Sequence, residues 1–330
     1  MLIIMKQNIL LNSVASIVYP CLAAGLLLIT GCRKEKTLDP SEQDENYFIV
    51  KDNPDVPADH ARYGFYESTG IASFYNDTIH RKRISDLGEL PRYSYVTLSL
   101  EYSISDLANI KFKLIDNKEN IPAVLDLVKQ NVLPGLPDQF VIPSIFLIDT
   151  FYTSLLLKQV ELAHGWTSWH GFNTIGISVQ DVTVMNSEER KMYAASILAG
   201  IAERRLTKVA GDKLQKDFFS VSRAEAKFFK SMGIDVYSGY PLTFLPPAMI
   251  PPPRPTGLLR YTVYGTGEGP REITYPCLPR EADDSRAFLT AAFYYTAQEF
   301  TALYSGDAFI LKKFNIIRNI AQEAGFKLPE

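Results

Sequence analysis

The stretch MYAASILAGIAERRL, residues 192–206, decides how the rest of the chain is read. Met192, Ala195, Ala199, Ala202 and Leu206 recur at steps of 3, 4, 3 and 4, which lines them along one face of a helix. Asn186 or Ser187 can cap that helix. Glu188 and Glu189 fall in its first turn, where the helix dipole favours negative charge. Arg204, Arg205 and Lys208 stand at the opposite end, and Gly211 offers a left-handed stop. Ile197 and Ile201 flank the alanine face, so the element is expected to be a core helix packed on a sheet.

Outward from this helix the two halves differ. Upstream, Val96, Leu98, Leu100, Tyr102 and Ile104 alternate with polar residues, which predicts a strand over Tyr93–Ile104. Asn120–Val132 reads as a helix with Pro122 in its first turn, and Ser144–Asp149 and Thr174–Gln180 read as strands. Downstream, Ser222 and Glu225 have the spacing of a capping box for a helix ending at Gly233. Pro241–Pro255 holds seven prolines and can be neither helix nor sheet interior, so it is expected to wrap the surface as an extended loop. Helices over Asp284–Tyr304 and Asp307–Ala324 close the chain. The fold class is therefore α+β, a mixed sheet with helices. An α/β part spans 58–211, and a mainly helical part with its Pro-rich loop at 241–255 spans 212–330.

Of the 330 residues, 46% are hydrophobic and 22% charged, a balance that supports a packed core rather than disorder. The net charge is −3 and no basic tract follows Arg83, so nucleic acid is not an expected partner. The N-terminus is informative. Lys6 precedes an apolar run ending in Ile29-Thr30-Gly31-Cys32, which resembles a bacterial lipobox. The 25 uncharged residues 7–31 are long enough to span a membrane, but Pro20 and the Cys after Gly31 favour cleavage. Residues 1–31 are thus expected to be a lipoprotein signal peptide and Cys32 the lipidated residue. The polar stretch 32–57 is expected to be a flexible tether. With Cys21 removed and Cys32 acylated, Cys277 is left without an intrachain partner.

Candidate chemistry is sparse. His164, Trp166, Trp169 and His170 sit within seven residues and could form a ligand-contact loop. Two histidines alone do not fix a metal, which needs three or four donors. The run 265–270 imitates a phosphate loop, but Pro270 and the absence of a following Lys make it a turn. Asp283 and Asp284 open a helix, where capping explains them.

Residues 199 and 203 lie one turn apart, as the two histidines of H-E-x-x-H do. With the lipobox, the segments Tyr63–Ile79 and Pro143–Asp149, Gly176-Ile177-Ser178 and the closing helix Phe309–Arg318, they carry a resemblance. The chain resembles the zinc metallopeptidase lipoproteins described as substrate-import-associated zinc metallohydrolases. That family's L-H-E-x-A-H signature lays onto Leu198–Glu203, and its acidic stretch falls near Asp283–Ala287, where only Asp284 corresponds. The resemblance implies a zincin-like fold, an outer-membrane lipid anchor, and partnership with a TonB-dependent importer and its substrate-binding lipoprotein.

The departures are at the chemistry. Ala199, Gly200 and Glu203 stand at the zinc-motif positions, giving one possible donor and no general base. No catalytic residue, metal ligand or cofactor is therefore assigned. The expected function is a non-catalytic accessory or binding subunit of nutrient import. Two alternatives stay open: an active zinc peptidase using His164, His170 and a later acid, or a structural envelope lipoprotein. Residues 199 and 203 are expected to face a cleft, with Arg204 pairing Glu203. Restoring Ala199→His, Gly200→Glu and Glu203→His is expected to fold and bind zinc, because removing a helix-interior Gly favours the helix by about 0.5–1 kcal/mol.

Overall fold

The computed structural model describes residues 46–87, 90–100, 110–155, 158–161, 166–265 and 274–330. Cys32, the signal segment, all but the end of the tether, and His164 lie outside the described residues. The chain divides into two units, 1–46 and 47–330, and the elements described belong to the second.

In chain order the elements are α1 (Pro57–Thr69), β1 (Ser73–Phe74), β2 (Thr78–Leu87), β3 (Leu90–Thr97), β4 (Ile110–Lys113) and α2 (Ile121–Leu127). Then come β5 (Ile145–Ile148), β6 (Thr150–Leu155), β7 (Lys158–Glu161), β8 (Ser168–His170), β9 (Ile175–Ser178) and α3 (Ser187–Lys213). The last part holds α4 (Ser220–Glu225), α5 (Lys227–Ser231), β10 (Thr262–Gly265), β11 (Thr274–Cys277), α6 (Glu281–Tyr294), α7 (Ala297–Leu303) and α8 (Ala308–Glu323). The α+β class expected from the sequence holds. Among the described residues no helix is long and apolar enough to cross a membrane.

A four-stranded sheet, ordered β1-β5-β9-β8, is the frame. Strands β1, β5 and β9 are parallel, and β8 closes the edge antiparallel to β9. Every residue of β5 is buried, as expected for a strand covered on both faces. Its side chains alternate between two cores. Ile145 and Leu147 join Ile175 and Ile177 against the helices, whereas Phe146 and Ile148 face Ile110 and Phe151 of an antiparallel sheet ordered β11-β10-β7-β6-β4. Among the described residues, strands β2 and β3 pair only with each other, in a hairpin. The single strand expected over Tyr93–Ile104 is thus its second arm, β3, and 101–109 lie outside the described residues.

Helix α3 lies on the helical face of the first sheet. Its start follows the expectation, with Asn186 and Glu189 forming a reciprocal capping box. Its end does not. Gly211 is not left-handed; the helix kinks at Ala210 and runs on to Lys213. Ala195, Ala199, Ala202 and Leu206 are buried and Met192 is exposed. Ile197 and Ile201 are also buried, at 0% and 1% exposure. Ile201→Ala is expected to destabilise the fold by about 2–5 kcal/mol through lost transfer energy and a cavity, read as a lowered urea midpoint. A change within about 0.5 kcal/mol would place the side chain at the surface instead.

The downstream half packs back on α3. The long helix expected over Asp284–Tyr304 is broken at Tyr295, giving α6 and α7, and Thr296 caps the second with Glu299. Ser222 does not cap, because its hydroxyl is buried among other partners. The Pro-rich loop runs in short 3-10 turns with Phe244 and Met249 exposed. One hydrophobic core runs from Phe65 through α3 to Ile320, crossing residue 211 without interruption.

Candidate functional site

The site forms where α3 passes beneath the edge strand β8, with α6 alongside. Small residues make the approach possible. A Cβ on Gly200 would lie 2.2 Å from Ser168 Oγ and 2.5 Å from Ser168 O. Contacts that short are closed to any side chain but hydrogen. Two bonds hold the strand down: Ser168 Oγ donates to the Ile197 carbonyl at 2.7 Å, and the Thr167 and Ser196 hydroxyls are 2.6 Å apart. Burying hydroxyls here is tolerable because each is paired.

The centre of the site is Arg286, from α6. It is 1% exposed, the largest fully buried side chain in the described chain. Arg286 Nη1 donates to the Ser168 carbonyl at 2.8 Å, and Nη2 donates to Glu203 Oε2 at 3.2 Å. Nη1 would also lie 3.0 Å from a Cβ on Gly200. Its guanidinium sits over the Trp166 ring at 3.8 Å and the Trp169 ring at 5.2 Å. Burial pushes the Arg286 pKa down, and the Glu203 carboxylate opposes that shift. Guanidinium remains protonated in proteins, so the site carries a fixed positive charge compensated by one carboxylate and two ring faces.

The aromatic pair is built into the fold. Trp166 and Trp169 stack with centroids 5.5 Å apart and planes 13° apart. Trp166 Nε1 donates to Asp283 Oδ1 at 2.8 Å, and Trp169 Nε1 donates to the Leu100 carbonyl at the same distance. Arg204 sits over Trp169 at 5.6 Å. The two tryptophans therefore grip each other and Arg286. His170, the next residue on β8, points to a separate cluster: its ring lies 5.7 Å from that of Phe140. The structure brings Gly200, Glu203, Trp166 and Trp169 around one group and leaves His170 beside it.

Three expectations are corrected here. Glu203 pairs with Arg286 and accepts from Thr207 at 3.1 Å, so Arg204 is not its partner. Ala199 is wholly buried, and only Glu203 of the 199/203 pair borders open space. Gly200→Glu would not simply favour the helix, because its Cβ meets the Ser168 backbone. Asp283 accepts from the Arg280 amide at 2.8 Å and caps α6 as expected, whereas Asp284 turns inward to Lys313.

Beside Glu203 opens a cleft of about 490 Å³, bordered also by Thr207, Gln215, Tyr237, Arg280 and Glu281. Arg223 pairs with Glu281, and Gln215 donates to Glu281 at 2.7 Å. The walls are mixed, with Leu214 and Phe219 beside polar groups that are already cross-linked, which suits binding better than proton transfer. A catalytic zinc does not fit the residues present. Ala199 has no donor atom, Gly200 no base, and Glu203 is already paired to a cation. Among the described residues no three His, Cys, Asp or Glu side chains converge as metal ligands. Cys277 is buried, and desolvation pushes its thiol up to about 11, which keeps it protonated and inert.

Arg286 and Lys313 carry signals in the sequence that pattern reading passes over. Each is a cation inside an apolar helical run, Arg286 before Ala287-Phe288-Leu289 and Lys313 before Phe314. A cation on a buried face demands an acid across the interface. Glu203, alone on an alanine face, and Asp284 are those acids. No protein-family model matches this chain, and neither a curated protein nor a solved structure matches it.

Proposed function

We propose that this chain is a non-catalytic, zincin-like relative of the substrate-import-associated zinc metallohydrolase lipoproteins. In this role it is anchored by Cys32 in the outer membrane and serves as an accessory or binding subunit of a TonB-dependent importer. The observation that carries the proposal is the position of Arg286. Its guanidinium lies against residues 200 and 203 of the helix that resembles the zinc-binding one, beneath an antiparallel edge strand. In this reading a side-chain cation beside Glu203 takes the role that a metal has in such an enzyme. The charge is retained and the Lewis acid is replaced by a group with no open coordination place. The cleft next to Glu203 is the surface such a subunit would offer a ligand.

The anchor and the partnership can be tested together. The tagged full chain should sediment with membranes, and detergent extraction should co-isolate a TonB-dependent importer. Cys32→Ser should remain an unprocessed precursor, because acyl chains contribute roughly 0.8 kcal/mol per buried methylene and the variant carries none. Normal processing and retention of that variant would overturn the anchor. Recovery of the anchored native chain without an importer would overturn the partnership.

A further inference from the structure

Arg204, Arg205 and Lys208 occupy the turns of α3 just before the kink at Ala210. Beneath them the Phe140 ring lies 5.5 Å from the Arg205 guanidinium and 5.7 Å from the His170 ring. Arg205 and His170 therefore meet over one aromatic side chain. Both keep a buried nitrogen without a hydrogen-bond partner, Arg205 Nε and His170 Nδ1. Among the described residues no carboxylate lies within ion-pair distance of Arg204, Arg205 or Lys208. Glu203, the acid adjacent in sequence, is held by Arg286.

The field at this place is one-sided. Burial first, then Arg204, Arg205 and Lys208, lowers the His170 pKa, and no acid opposes them. Cations at positions 204 and 208 repel across one helical turn. The helix dipole offsets part of that repulsion but supplies no acceptor for an orphaned N–H. A buried guanidinium N–H without an acceptor is uncommon, and an anion beside Arg205 would offset the charge gathered here. Access exists. Arg205 and Lys208 form one wall of an open groove of about 710 Å³ that continues past Gly211 to Ala324, with Asp212, Lys213 and Glu323 also along it. Lys213 is paired with Glu323, so these two largely neutralise each other, and Asp212 offsets one of the two remaining cations, Arg205 and Lys208, leaving a net positive wall.

We propose that Arg205 and Lys208 form an oxyanion-binding site on this groove, with Arg204 adding to its field and His170, on the far side of the Phe140 ring, sensing it. It takes a carboxylate or sulfate group, either free or carried on a solute lying in the groove. Arg205 supplies the directional donors and Lys208 a mobile charge at the rim, while His170, across the Phe140 ring, gains its proton more readily once the anion offsets these cations. The site is separate from the Arg286 centre, although both hang on α3 and β8.

Histidine-selective NMR of the lipidated full chain in detergent tests this, with the His170 signal assigned through His170→Gln. The probes are sodium sulfate and trigalacturonate, against sodium chloride at matched ionic strength. Sulfate should raise the His170 pKa saturably and beyond the effect of chloride, while His60 and His80 respond equally to both salts. Arg205→Gln and the exposed Lys208→Gln should each weaken sulfate binding about tenfold or more, as loss of a charge-assisted bond implies. Tighter binding of trigalacturonate than of sulfate assigns the anion to an acidic sugar chain in the groove. The reverse order assigns it to a free oxyanion. Identical His170 behaviour in sulfate and chloride, or sulfate affinity unmoved by both variants, would overturn the site.

Discussion

Gly200→Ala should strongly destabilise this protein. Substituting alanine for a helix-interior glycine ordinarily stabilises by up to about 1 kcal/mol. Here the new methyl would lie 2.2 Å from Ser168 Oγ and 2.5 Å from the Ser168 carbonyl. The hydroxyl can rotate away, but it would lose its bond to the Ile197 carbonyl. The carbonyl belongs to the β8 backbone and to the Arg286 hydrogen bond, so it cannot move alone. Overpacking costs about 1–3 kcal/mol in ordinary cores and more where backbone must shift, so a net loss of about 3 kcal/mol or more is expected. Urea unfolding measures it. A variant as stable as the parent, or more stable by the helix-propensity gain, would mean that α3 does not press on the edge strand.

The second large effect is expected at Lys313. Its ammonium is fully buried and contacts Asp284, the Tyr237 hydroxyl at 3.1 Å and Ser222 Oγ at 2.9 Å. Tyr237 donates to Asp284 at 2.7 Å, and Phe218 and Phe288 pack against the ammonium. Burial pushes Asp284 up and Lys313 down, and each charge opposes the other's shift. Such a pair adds little net stability, but either member alone is a stranded charge. Lys313→Met should therefore cost about 3–5 kcal/mol. Adding Asp284→Asn should recover most of that loss, and equilibrium unfolding of both variants against the parent would show it. A single variant within about 1 kcal/mol of the parent would mean that water reaches the pair.

How much of this is legible in the sequence depends on whether a signal is local. The cap at Asn186, the alanine face of α3, strands β5 and β9 and the stop at Gly325 are all readable, because each rests on a few neighbouring residues. The β2–β3 hairpin is not, since an alternating pattern announces a strand without naming its partner. Gly211 misleads because a glycine permits a left-handed turn without requiring one, and α3 has downstream residues to pack. The site is half legible. That residues 199, 200 and 203 lack zinc chemistry is plain from their side chains. What packs against them is not, because Arg286 lies 83 positions from Glu203 and meets it only once α6 packs on α3. Gly200 shows the same limit: its meaning lies in the position of Ser168, which no helical periodicity encodes.

Calorimetric zinc titration of the native full chain tests most directly the proposal that a guanidinium stands in place of a metal. With Arg286 paired to Glu203 and no imidazole at residues 199 or 203, the native chain should bind no zinc stoichiometrically, and none should survive dialysis. One tightly bound equivalent of zinc that persists through dialysis would contradict the claim.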